Sequence, residues 1–175
     1  MVTKKKRLRG RIQFLLTTVM VAGLLGCMPA GPRALLKGKR LLDEGKNTEA
    51  IEELKVATSL LATNAQAWNY LGLAYHHAGH AAEAVEAYQR ALGLNHDLVA
   101  VHYNLGCLLL EQNRPDTLEG ARNELTAFVV RQGNVVDGWL KLGTAQLRLG
   151  QVPLAETSFK EVLQLSPGNP EAGII

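Results

Sequence analysis

Apolar and polar positions alternate along residues 33 to 165 with helical spacing rather than strand spacing, and turn residues interrupt them at regular places. The pattern predicts eight helices, near 33–44, 48–61, 65–78, 81–93, 99–112, 117–131, 136–149 and 153–165. Gly45, Gly79 and Gly150 fall between predicted partners, and Asn113 takes that turn place once. Asn47-Thr48 reads as a capping pair, Pro153 suits a first helical turn, and Ser166-Pro167-Gly168-Asn169-Pro170 cannot continue a helix.

The same stretch repeats itself. Gly38, Gly72, Gly106 and Gly143 stand 34, 34 and 37 residues apart. Ala50, Ala84, Ala121 and Ala155 follow them at matching offsets, apart from three extra residues around Arg114 to Gly120. Small residues at these places let two antiparallel helices approach closely, while large aromatics fill the space between one hairpin and the next. The clearest unit reads Trp68-Asn69-Tyr70-Leu71-Gly72-Leu73-Ala74-Tyr75, then Ala84, Tyr88 and Ala91. The last reads Trp139-Leu140-Lys141-Leu142-Gly143, Ala155, Phe159 and Pro167, with Gln146 where the first has tyrosine.

These blocks resemble the tetratricopeptide signature. The resemblance implies an all-α, right-handed solenoid over residues 33 to 172, built of four helix-turn-helix units near 31–64, 65–98, 99–135 and 136–169. It further implies a concave groove lined by the first helix of each unit. The groove residues expected from it are Asn69, Leu73, His76, Tyr103, Asn104, Leu110, Leu140, Lys141, Thr144 and Leu147. That mixture of apolar and amide groups suits a protein or peptide partner. Some members of the family clamp a peptide carboxylate, and Asn104 and Lys141 match two of the clamp positions. Asn69, Leu73 and Asp137 do not, which argues against that specialised mode. At the C-terminal end, Leu154, Phe159, Val162 and Leu163 are expected to form a partly exposed edge, open to self-association or to another envelope protein.

Upstream of the repeats, Met1 to Arg11 is basic and Ile12 to Leu25 is an apolar run of signal-peptide length. The run contains Gln13, Thr17 and Thr18 and is interrupted by Gly23 and Gly26, so a cleaved secretory signal is expected over 1–26 instead of a permanent span. Leu24-Leu25-Gly26-Cys27 resembles the lipobox of bacterial lipoproteins. This implies lipid on the Cys27 thiol, cleavage before it, a lipidated tether over 27–32, and a body held on a membrane facing the periplasm. Met28 follows the cysteine, and in that family the absence of aspartate there implies the outer membrane more than the inner.

Charge supports this division. The chain has a net charge of +3, but Lys4, Lys5, Lys6, Arg7, Arg9 and Arg11 all precede Cys27, leaving thirteen basic and sixteen acidic residues after it. Such an acidic body gives no electrostatic footprint for nucleic acid.

Candidate chemistry adds little. His76 and His80 share a helical spacing suited to zinc, but Gly79 is expected to end that helix and no thiol or carboxylate nearby in sequence completes a set, so no metal is expected. Glu52-Glu53 reads as a solvated face beside Lys55, because adjacent helical residues diverge. Cys107, among Leu105, Leu108 and Leu109, reads as a buried packing thiol. No phosphate loop, nucleophile elbow or metalloprotease helix is present, so neither an enzyme nor a cofactor is expected. The expected function is an envelope scaffold or assembly factor, similar to the repeat lipoproteins that help place pilus secretins. A small-ligand or peptidoglycan-binding lipoprotein is the alternative.

Overall fold

A computed structural model describes residues 28 to 171. Eight helices follow one another: α1 Ala30–Asp43, α2 Asn47–Leu60, α3 Ala65–His77, α4 Ala81–Leu94, α5 Val99–Gln112, α6 Pro115–Arg131, α7 Val136–Arg148 and α8 Val152–Leu165. They pair as four hairpins, and each hairpin stacks on the next. Odd-numbered helices approach one another closely along one side, whereas the backbones of even-numbered helices stay farther apart, so α1, α3, α5 and α7 line the inner side of the solenoid. The predicted signal sequence and Cys27 lie outside the described residues.

The repeating glycines set the spacing within each hairpin. A methyl group on Gly38 would come within 2.5 Å of Leu54, one on Gly72 within 2.6 Å of Tyr88, one on Gly106 within 2.7 Å of Leu125 and one on Gly143 within 2.8 Å of Phe159. One large side chain of the second helix thus fills the gap left by each glycine of the first. The hairpin turns place Gly45, Gly79 and Gly150 at φ of 73°, 80° and 73°, in the left-handed region where a side chain is strained. In the third hairpin Asn113, at φ 52°, does this work, as the residue type best able to replace glycine there.

Between hairpins the packing follows one rule. Leu71 of α3 joins Leu41, Ile51 and Leu54; Val101, Leu105 and Leu108 of α5 join Ala84, Tyr88 and Ala91; Leu142 and Ala145 of α7 join Leu110, Leu118 and Leu125. Four residues before the glycine, the indoles of Trp68 and Trp139 donate to the carbonyls six residues upstream, Ala62 at 2.9 Å and Gly133 at 2.7 Å. His102 holds the same place on α5, its Nε2 2.9 Å from the carbonyl of His96. The contact of α4 with α5 is the least extensive of the three between hairpins.

Three details differ from the expectations. α1 begins three residues early, because Pro32 in its first turn needs no donor. α6 absorbs the three extra residues and starts at Pro115, where the Thr117 hydroxyl accepts from the Arg114 amide at 3.2 Å and donates to the Arg114 carbonyl at 3.0 Å. Asn47 does not cap α2; its amide donates across the hairpin boundary to the His77 carbonyl, 3.3 Å away. The cap observed is Asn64, whose Oδ1 accepts from the Ala67 amide at 3.0 Å.

Candidate functional site: the inner groove

The glycines supply a register for the inner face. Three residues before each glycine stand Leu35, Asn69, Tyr103 and Leu140, and two before stand Leu36, Tyr70, Asn104 and Lys141. One residue after stand Lys39, Leu73, Cys107 and Thr144, and four after stand Leu42, His76, Leu110 and Leu147. Nine of the ten groove residues expected from the sequence are buried lightly or held by polar bonds, while the exception, Leu110, belongs to the core.

At the centre of the groove the polar side chains bond to each other from one hairpin to the next. Asn104 Nδ2 donates to Asn69 Oδ1 at 3.2 Å, and that buries Asn69. The Tyr103 hydroxyl donates to the carboxylate of Asp137, which also lies 3.8 Å from Lys141. His76 Nε2 lies 2.9 Å from Glu111. Burial and this bond to Asp137 push the Tyr103 phenol well above its ordinary range, so it acts as a donor. Tyr103 and Phe128 lie 5.0 Å apart as tilted rings, and with Asn104, Gln132, Val135 and Asp137 they wall a cavity of about 300 Å³.

Several expected groove residues have other surroundings. Leu110 is only 6% exposed and packs with Leu118 and Leu142, because α7 stacks over the end of α5 and Arg148 donates to the Leu110 carbonyl at 3.1 Å. Leu140 is half-buried and leans on the Ala155, Phe159 and Val162 cluster. Thr144 spends its hydroxyl on the Leu140 carbonyl, 2.8 Å away, as helical threonines commonly do. Leu73 and Lys141 remain half-exposed, and Leu147 is exposed at 42%.

Residues absent from the expectation include Leu35, Leu36, Tyr70 and Cys107, although counting from the glycines places each in a row with residues that were included. Cys107 is therefore half-buried on the groove face and not a core thiol; burial raises its pKa. At the C-terminal edge Leu154 and Leu163 are exposed, together with Val152 and Leu165. Phe159 and Val162 are not: Phe159 fills the space against Gly143, and Val162 is fully buried.

His76, His77 and His80 do not converge. His76 faces Glu111, and His80 lies beyond the turn with its ring edge-on to Tyr75 at 6.1 Å. Among the described residues no group of three or more His, Cys, Asp or Glu side chains is placed to hold a metal ion, and no helix is long and apolar enough to cross a membrane. Glu52 faces Lys55 at 3.6 Å, and Glu53 accepts from Lys37 at 2.6 Å, so the adjacent carboxylates serve separate surface pairs.

Comparison with known proteins agrees with this geometry. Residues 35–97 and 103–170 match the profile of the tetratricopeptide repeat, and the gap between the two matches falls at the thin contact of α4 with α5. Among solved structures, a crystal structure of MamA is 25% identical, covers 94% of this chain and 94% of its own, and superposes with a TM-score of 0.72. MamA from Desulfovibrio magneticus is 20% identical over 80% of this chain and 77% of its own, with a TM-score of 0.74. YrrB, described as a TPR protein with an unusual peptide-binding site, is 20% identical over 79% of this chain and 70% of its own, with a TM-score of 0.73. No curated protein matches.

Proposed function

Because the chain belongs to the tetratricopeptide repeat family, we propose that it is a membrane-anchored scaffold or assembly factor of the bacterial cell envelope, taking a partner protein or peptide in its inner groove. The tetratricopeptide fold supports protein or peptide binding. The observation that carries the groove reading is the cross-hairpin bonding of Asn69 with Asn104 and of Tyr103 with Asp137. These bonds fix amide and carboxylate groups beside exposed apolar side chains, so a partner meets a preorganised surface. A scaffold reading needs no catalytic group, and we propose none. The Leu24-Leu25-Gly26-Cys27 segment supports lipidation of Cys27 and a periplasm-facing body, with the outer membrane favoured by Met28. Leu154, Leu163 and Leu165 support an association edge at the far end.

The test is crosslinking in native envelopes, comparing the wild type with a variant carrying Lys141→Glu and Leu147→Asp. Both side chains reach solvent, so helicity by circular dichroism is expected to persist. A defined protein captured by the wild type and lost by the variant supports the groove reading; capture that ignores both substitutions refutes it. Cys27→Ser is expected to release the protein from the membrane fraction, and unchanged membrane retention refutes the lipid anchor.

A further inference from the structure

Arg33, Lys37 and Arg40 occupy places that are buried in every later hairpin. Counted from the glycines, they correspond to Ala67, Leu71 and Ala74 on α3, to Val101, Leu105 and Leu108 on α5, and to Gly138, Leu142 and Ala145 on α7. In those three helices this face packs against the hairpin before it. On α1 all three places carry cations, at helical spacings of four and three that hold them on one face. With Met28 and Leu36, which is 56% exposed, they line a cleft of about 390 Å³.

An end face of a solenoid needs polar residues, and mixed charges serve that purpose. Within α1 itself the charges are not mixed. Of thirteen basic and sixteen acidic residues after Cys27, α1 holds four and one, and its single acid, Asp43, is its last residue. The cations do have local partners: Arg33 donates to the Met28 carbonyl, Lys37 to Glu53, and Arg40 lies 3.6 Å from Glu44. Both cations of these pairs are exposed, as is Glu44, while Glu53 is half-buried, and pairs open to solvent are weak enough for the cation to exchange for another anion.

We propose that this end face of α1 rests on anionic phospholipid headgroups. The inference rests on the lipidation of Cys27 proposed above. Only Met28 and Pro29 separate Cys27 from the start of α1, a span of about 10 Å even when extended, so a lipid on that cysteine brings α1 to the bilayer surface. From Arg33 to Arg40 the helix rises about 10 Å, so α1 lying along the surface places all three cations within about one screening length of it. The first turn of α1 carries no acidic residue, which leaves the positive end of the helix dipole free to add to the attraction. The solenoid then stands away from the membrane on its basic end, with the groove facing sideways.

Among the described residues, the four core clusters and the residues packed on them lie between residues 34 and 162, all within the chain from Met28 onward. That chain is mixed with vesicles of phosphatidylglycerol and phosphatidylethanolamine, or of phosphatidylcholine alone, and flotation is measured. Binding to the anionic vesicles alone is expected. It should weaken on the order of tenfold to a hundredfold in the Arg33→Gln, Lys37→Gln, Arg40→Gln variant, and be retained with Arg33→Lys and Arg40→Lys. Equal binding to both vesicles, no binding to either, or a triple-glutamine variant that floats as the wild type overturns the proposal. Mass analysis of the amino-terminal peptide from the full-length chain separates the two ideas. An unmodified Cys27 beside intact anionic-lipid binding refutes the anchor alone, and an acylated Cys27 beside charge-blind flotation refutes the basic face alone.

Discussion

Nδ1 of His102 lies 2.6 Å from the carboxylate of Glu124, on the opposite side of the ring from the His96 carbonyl. Where two other hairpins use an indole with one donor, this one uses a ring with two nitrogens and recruits a carboxylate from α6 to meet the second. His102 is 2% exposed, whereas Glu124 keeps a quarter of its side chain in solvent. His102→Ala leaves that carboxylate without its partner and opens a void next to the contact of α4 with α5. The expected cost is about 2–3 kcal/mol, that of a lost hydrogen bond to a partly buried carboxylate together with the void, read from urea unfolding. A loss below about 1 kcal/mol would show that the pair contributes little.

Glycines on these helices are predicted to respond in opposite directions. Gly72→Ala drives a methyl into the Tyr88 ring, itself fully buried, and is expected to cost about 1–3 kcal/mol. Gly93, on α4, has nothing within 4 Å of the added carbon, so Gly93→Ala is expected to stabilise by about 0.5–1 kcal/mol. Thermal melting of the two variants checks the pair.

Tyr88 gives a prediction at alkaline pH. Its hydroxyl has no hydrogen-bond partner among the described residues, and burial pushes its ionisation well above the ordinary value of 10.0. The folded state therefore favours the neutral phenol. Stability is intact below the unfolded value and falls as pH rises past it, because unfolding then releases a proton. Tyr88→Phe is expected to leave neutral-pH stability unchanged or raise it by up to about 1 kcal/mol, and to flatten the alkaline decline. Denaturant midpoints measured on both sides of pH 10 test this; a decline as steep as in the wild type would assign it to other groups.

Much of this fold was legible because close packing imposes residue types on a fixed period. Gly72 against Tyr88 and Gly143 against Phe159 are such impositions, and they located the hairpins. The groove was less legible, because helical spacing gives a residue's direction but not what the next hairpin lays over it. Leu110 and Leu147 hold the same register, yet α7 covers the first, whereas the second stands on α7 itself, in the last described hairpin. Asn69 was expected to face a ligand and is buried under Asn104. His102 stands four residues before Gly106, in the row that Trp68 and Trp139 hold, so its place at the hairpin boundary is legible in the sequence.

Cys107 is expected to react slowly. Its half-buried thiol is raised by burial, with the Tyr103 hydroxyl and the Lys141 charge opposing that only in part. Alkylation of the folded protein near neutral pH should be slower than in denaturant. Equal rates would place the thiol in open solvent.

The far edge can be tested by charge. Leu154→Glu with Leu163→Glu should abolish any concentration-dependent association seen by sedimentation, since both side chains are exposed and outside the packed cluster. A wild-type chain that remains monomeric at high concentration refutes the association edge.

The two ends of the stack are unlike: cations replace the packing residues on α1, while leucines remain uncovered beside α8. A hairpin added at either end would cover the α1 cations or the α8 leucines. The slender contact between α4 and α5, where the two halves of the family match also part, is instead the place where an inserted pair of hairpins would disturb the fewest existing neighbours.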